Sequence, residues 1–205
     1  MISVSSVAKS FSGVKMNTNV TSEEAIVATR LWLERAVIGL NLCPFAKGVH
    51  VKNQIRFVVS AAQTPEELLA DVMKELEILA EASREKIDTT LLIHPHVLTD
   101  FLDYNDFLEV VDAALEEVDL AGELQVASMH PQYQFADTEP DDITNYTNRS
   151  PYPTLHLIRE ASIDEAVAAF PEAEMIFEKN IETMRKLGHE GWNTLGLAEV
   201  QLGKK

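Results

Sequence analysis

The stretch TTLLIHPHVLTDFLDYNDFLEVVDAALEEVDLAGELQVASMHP, residues 89–131, decides the fold class. It predicts a strand, TTLLIHP, followed by a helix, YNDFLEVVDAALEEV, and a second strand, LQVASMHP. A helix of this length is a typical crossover between two parallel strands. The stretch therefore predicts an α/β fold.

The sequence on either side continues this alternation of strands and helices. TSEE at residues 21–24 and TPEE at residues 64–67 are capping boxes that open helices, and IRFVVSAA between them predicts a strand. Beyond residue 131, a loop of about 20 residues leads to the strand PTLHLIRE. SIDE is then expected to cap a short helix, and a last helix to run from Pro171 to Gly188. We expect a single-domain sandwich with a mixed sheet of about four strands and flanking helices, the first three strands parallel and the fourth antiparallel.

Length and composition bound the domain organisation. The chain has 205 residues, which fit one domain with a core of its own. We expect residues 1–20, which contain no acidic residue, to be a disordered leader, residues 21–192 to form the α/β domain and residues 193–205 to be a tail. Met16 is an alternative start.

The charge of the chain limits its classes of partner, and its cysteine content indicates its redox compartment. With 17 basic and 33 acidic residues the net charge is -16, which disfavours nucleic acid and anionic membrane surfaces. No apolar run approaches the roughly 20 residues of a membrane span. The single cysteine favours a reducing, cytoplasmic compartment. The oligomeric state stays open, and the absence of glycine-rich phosphate loops gives no reason to predict a nucleotide cofactor.

Two predicted strands end in the same dipeptide, His-Pro, at His94 and His130. If the strands are parallel, both histidines lie at the carboxyl edge of the sheet, where open α/β sheets bind ligands. The alternative is that each His-Pro merely ends its strand, because proline removes a backbone donor.

Residues 131–150 form a long loop that is rich in polar side chains, and a loop of this length is usually functional or mobile. The residues we assign to ligand binding are Asn145, Asn148, Arg149, Ser150 and Arg159. The two guanidinium groups offer planar forks that match a carboxylate or phosphate. We expect Asn148 and Arg149 to fold inward near His130, and Arg149 to hold a ligand rather than the fold. The alternative is that the amides and the serine cap turns while Arg149 pairs with Asp141 or Asp142.

Three blocks, GLNLCPFA, VASMHPQYQFADTEPDDITNYTNRSPYPTLHLIREASID and NIETMRKLG, closely resemble the signatures of an uncharacterised bacterial family. That family is the domain of unknown function fourteen-fifteen, and the resemblance covers residues 22 to 192. It implies no particular activity. Met129 departs from the family, whose members are commonly aromatic there. The matching positions are Cys43, Pro44, His130, Pro131, Tyr133, Asp142, Asn145, Asn148, Arg149, Ser150, Pro151, His156, Arg159 and Glu160.

These residues predict an enzyme that acts on a small anionic metabolite. His130 is the expected general acid or base, His94 is a further candidate catalytic residue, and Cys43 is a nucleophile if a histidine or Arg149 activates it. Buried packing is the alternative role of Cys43, since the thiol follows a helix C-terminus.

Two other functions stay open at this point. The first is a metal-dependent enzyme built on the histidines and Asp141 or Asp142, although no pair has a diagnostic metal spacing, and we assign no metal ligand. The second is a non-catalytic binding or assembly protein.

Overall fold

The structure is a computed structural model that describes residues 20–169 and 173–197. Residues 1–19 of the predicted leader, residues 198–205 of the predicted tail and the predicted helix start at Pro171 lie outside these ranges. Within them, no helix has both the length and the apolar character needed to cross a bilayer.

The described residues form an α/β structure of six α-helices and four strands. The helices are α1 (Ser22–Trp32), α2 (Ala46–Val51), α3 (Pro65–Glu81), α4 (Phe101–Glu117), α5 (Glu160–Ala169) and α6 (Ile176–Asn193). The strands are β1 (Ile55–Val59), β2 (Thr89–Ile93), β3 (Leu124–Met129) and β4 (Thr154–Arg159). A π-helical segment, Leu33–Ile38, continues α1, and a 3-10 helix, Ile143–Thr147, interrupts the long loop.

Local sequence signals account for several helix ends. Both capping boxes form, with the Thr21 and Thr64 side chains accepting hydrogen bonds from the third helical N–H. Gly188, with φ 62°, breaks the last helix where a stop is expected, and helical structure then resumes. The predicted SIDE cap is wrong, because α5 starts directly after β4 and Ser162 donates its hydroxyl hydrogen to Asp88 instead.

The sheet has the order β1-β2-β4-β3, so the first three strands do not pair with one another as the expected parallel set. Only β1 and β2 pair in parallel, whereas β4 pairs antiparallel with both β2 and β3. The first three strands still point the same way, since β4 opposes both of its neighbours. The helical crossover α4 carries the chain past one strand position, and β4 fills that position as in a split β-α-β unit.

Helices cover both faces of the sheet. On one face, α3 and α4 pack on Leu92, Leu155 and Leu157. On the other face, α1 packs on Ile93 and Phe57. Neighbouring residues of a strand therefore serve different layers, as the alternation of side chains requires.

The hydroxyl group of Tyr104 joins α4 to the carboxyl end of β3 and the start of β4. It donates to the carbonyl oxygen of Thr154 at 2.8 Å and accepts from the backbone N–H of Met129 at 3.1 Å. The side chain is fully buried. Burial raises the pKa of this phenol, so the group stays protonated and able to donate.

We predict that Tyr104→Phe lowers the free energy of unfolding by about 1–3 kcal/mol, because it leaves a buried backbone N–H and C=O unsatisfied. Urea denaturation measures this change. Tyr133→Phe is the matched control, since the Tyr133 hydroxyl makes no hydrogen bond with any described residue. Equal stability of the two variants would contradict the prediction.

Candidate functional site

His94 and His130 follow the ends of β2 and β3 at one edge of the sheet, which confirms the prediction from the His-Pro pairs. Both rings lie on the α4 side and contact Tyr104, with centroid distances of 5.6 Å for His94 and 5.1 Å for His130. Phe101, at the start of α4, lies 5.5 Å from His130. The two histidines are fully buried within this aromatic group.

Both ring nitrogens of His130 are engaged by the backbone. Nδ1 accepts from the N–H of Gln132 at 3.0 Å, so Nε2 carries the hydrogen and donates to the carbonyl oxygen of Leu98 at 3.2 Å. Leu98 has φ 53°, a strained value for a bulky residue. Burial lowers the pKa of His130 to about 4. The ring is therefore neutral and held in one tautomer.

His94 differs from His130 in having one unpaired nitrogen. Nδ1 donates to the carbonyl oxygen of Val97 at 3.0 Å, which leaves Nε2 as a bare acceptor. This atom has no hydrogen-bond partner in the described part of the chain. Burial lowers the pKa of His94 to about 4, so the ring is neutral as well.

The long loop is fixed from inside by Asn145, which is fully buried. Its Oδ1 accepts from the N–H of Phe135 at 3.0 Å and from the Thr138 hydroxyl at 2.8 Å, and its Nδ2 donates to the Glu139 carbonyl at 2.9 Å. Ser150 is also buried and donates to the carbonyl oxygen of Tyr152 at 2.6 Å. These contacts give both residues a positioning role in the loop.

Asn148 and Arg149 fold inward at the sheet edge, as expected. The carbonyl oxygen of Asn148 accepts from the N–H of His130 at 3.2 Å, and its side chain donates to Ser128 at 3.3 Å. The Arg149 guanidinium donates to the backbone carbonyls of Tyr133 at 3.1 Å and Pro140 at 2.5 Å. It also lies 4.4 Å above the ring of Tyr146. Arg149 therefore joins distant parts of the loop.

Cys43 lies on the opposite face of the sheet from His94 and His130. It packs, half-buried, with Met129 against the apolar cluster around Trp32. Burial raises the pKa of the thiol above its ordinary value, despite hydrogen bonds from the backbone of Phe45 and Ala46. The structure therefore does not bring the thiol together with these histidines.

Arg159 lies at the other end of the sheet. It pairs with Leu124, the first residue of β3, whereas His130 follows the last residue of that strand. The guanidinium donates to the carbonyls of Leu79, Ala82 and Ile87 around the end of α3. It thus satisfies carbonyl groups at that helix end.

His156, also considered as a metal ligand, lies apart from His94 and His130. His156 lies in the middle of β4 on the α1 face, where Nε2 is 2.7 Å from the hydroxyl oxygen of Thr89. Among the described residues, no group of three or more His, Cys, Asp or Glu side chains could hold a metal ion.

The long loop forms one wall of a groove whose other wall is α6. The groove has a volume of about 630 Å³, within the usual range of small-molecule sites. Its lining from the loop is Phe135, Ala136, Asp137, Thr138, Asp142, Thr144, Thr147 and Asn148. Its lining from α6 is Ile176, Phe177, Asn180, Ile181 and Arg185, and Phe45, Val167 and Glu174 complete it.

The groove combines polar groups with an aromatic surface. The Arg185 guanidinium makes no hydrogen bond or ion pair with any described residue, whereas Asn180 is anchored by donating to the Leu42 carbonyl at 2.9 Å. Phe177 is 60% exposed and lies 6.2 Å from Phe135, ring centroid to ring centroid. An exposed aromatic ring and an unpaired cation that line the same groove are typical of a surface that contacts a ligand.

The residues of α6 that line this groove were not predicted from the sequence. They recur at helical spacing on one side of α6, and several belong to the block NIETMRKLG that carries the family resemblance. The sequence therefore contains a helical pattern that marks these residues. What the sequence lacked was any indication that α6 lies against the long loop.

The fold and the groove define an α/β protein in which a long, internally fixed loop and a helix enclose a polar groove. Residues 24–194 match the model of a family described as "Protein of unknown function (DUF1415)", and the chain belongs to that family. This confirms the resemblance predicted from the sequence. No curated protein and no solved structure matches the chain.

We predict that Arg149→Ala lowers the free energy of unfolding by about 1–3 kcal/mol, because it removes two charge-assisted hydrogen bonds and a cation–π contact. This revises the expectation that Arg149 holds a ligand rather than the fold. Thermal denaturation measures the change, with the exposed Lys186→Ala as control. A melting temperature equal to that of the control would contradict a positioning role.

The buried histidines predict a loss of stability in acid. In the unfolded chain each ring takes up a proton near pH 6.5, whereas His94 and His130 in the folded protein resist protonation until about pH 4. The two histidines therefore make their full contribution to the unfolding free energy above pH 6.5. This contribution is lost progressively as the pH falls toward 4. The fall is about 3 kcal/mol for each histidine. Urea titrations between pH 7.5 and 4.5 measure it, and a flat profile contradicts the buried neutral state.

Proposed function

We propose that the protein binds a small organic molecule in the groove between residues 135–148 and α6. The observation that carries this proposal is the unpaired guanidinium of Arg185 in a groove with exposed aromatic surface. A guanidinium of this kind binds a carboxylate or phosphate through two parallel hydrogen bonds. The ligand therefore carries an acidic group, as the sequence predicts.

The groove can also hold an apolar body. Phe45, Phe135 and Phe177 provide aromatic surface, and Ile176 and Ile181 extend it along α6. Burying the exposed part of Phe177 under a ligand would contribute about 25 cal/mol for each Å² of apolar surface removed from water. The side-chain amides of Asn148 and Asn180 can orient the ligand. Each is anchored through its Nδ2 group, so its Oδ1 atom can accept a hydrogen bond from the ligand.

In this proposal the residues assigned from the sequence have different roles. Asn148 lines the groove and can contact the ligand, whereas Asn145, Arg149 and Ser150 position the loop. A catalytic role for His94, His130 and Cys43 stays a prediction. Binding in the groove does not require it.

Protein-detected NMR with a library of small carboxylates, phosphates and amines tests the proposal. We expect ligands to shift the amide resonances of Thr147, Asn148 and Asn180. Arg185→Gln should weaken binding of an acidic ligand about tenfold or more, the loss of a charge-assisted hydrogen bond of about 1.5–3 kcal/mol.

Lys186→Gln is the matched control, since it removes the same charge from the next residue of α6, which does not line the groove. The proposal predicts nearly unchanged binding by this variant. Shifts confined to other surfaces, or equal weakening in both variants, would exclude the groove as the binding site.

A further inference from the structure

We propose that the groove takes an amino-acid-like zwitterion, a molecule with an ammonium group and a carboxylate beside an apolar body of about one ring. This inference rests on the proposed function and specifies its ligand class. It depends on the charges that line the groove, which a purely anionic ligand does not match.

Charged side chains of both signs line the groove. Three are acidic, Asp137, Asp142 and Glu174, and one is basic, Arg185. The whole chain carries a net charge of -16, so the surrounding field also disfavours anions. A ligand with two negative charges, such as a phosphate monoester, would gain at Arg185 and lose at the three carboxylates. A ligand whose charges cancel avoids this loss.

The opposite charges are present together without neutralising each other by contact. The charge of Arg185 acts on Asp142, yet the two side chains form no ion pair among the described residues. Asp142 already accepts from the N–H and hydroxyl group of Thr144, at 2.8 Å and 2.7 Å. The groove therefore offers a separate cation and separate carboxylates, and a ligand carrying both charges can pair with each.

The apolar part of the ligand follows from the walls. Phe135 and Phe177 meet edge to face at one side of the groove, and their rings can pack on one further ring or branched chain. Asn148 and Asn180 also line the groove, and an amide oxygen can accept from an ammonium group. An amino acid with a large apolar side chain has these three features in one molecule.

Four probes with the same ring and different charges test the inference. They are phenylalanine, 3-phenylpropionate, phenethylamine and phenyl phosphate, each titrated against the full chain by protein-detected NMR. We expect phenylalanine to bind about tenfold more tightly than any other probe, because only phenylalanine pairs with both charges. Asp137→Asn should weaken the binding of phenylalanine more than that of 3-phenylpropionate, and Arg185→Gln should bring phenylalanine to the level of phenethylamine.

Both variants are expected to fold. Asp137 is exposed and has φ 61°, a conformation that asparagine also tolerates, and Arg185 is exposed on α6. If 3-phenylpropionate, phenethylamine or phenyl phosphate shifts the groove resonances as strongly as phenylalanine, the zwitterion class is wrong and the groove remains the binding site. If none of the four probes shifts those resonances, both this inference and the proposed function are overturned.

Discussion

A long loop at a sheet edge must satisfy its backbone polar groups without a ladder of strand hydrogen bonds. In this chain the buried Asn145 meets much of that requirement. One carboxamide satisfies the N–H of Phe135, the Thr138 hydroxyl and the Glu139 carbonyl, and Arg149 then joins the Tyr133 and Pro140 carbonyls across the same loop. The loop becomes a fixed wall, and the groove exists because the wall is fixed.

The wall also separates two environments. On its inner side are His94 and His130, neutral and enclosed by Tyr104 and Phe101, and on its outer side is the open groove. Aromatic contacts connect the two sides, from Phe101 to Tyr133 at 5.2 Å, to Phe135 at 4.9 Å and to Phe177 at 6.2 Å. The packing that encloses the buried histidines therefore extends to the groove surface.

The sequence predicted local structure better than the arrangement of distant elements. Capping boxes, strands and the His-Pro edge depend on nearby residues and on the fixed direction of helical crossovers, and they could be predicted. The position of β4 between β2 and β3 could not, because alternation of side chains does not specify a strand's neighbours. The polar residues of the loop were identified for the same local reason. Arg185 was not, because its role depends on α6 lying against a loop that is distant in sequence.

Hydrogen exchange at the Phe135 amide tests the fixed wall most directly, because that N–H donates to the side chain of Asn145. The account predicts slow exchange in the wild-type protein, comparable to the Leu155 amide in the central strand β4. In Asn145→Leu, which keeps the branched side-chain shape and removes the acceptor, the Phe135 amide should exchange rapidly while Leu155 stays protected. Rapid exchange at Phe135 in the wild-type protein, or unchanged protection in the variant, would contradict a groove with a preformed wall.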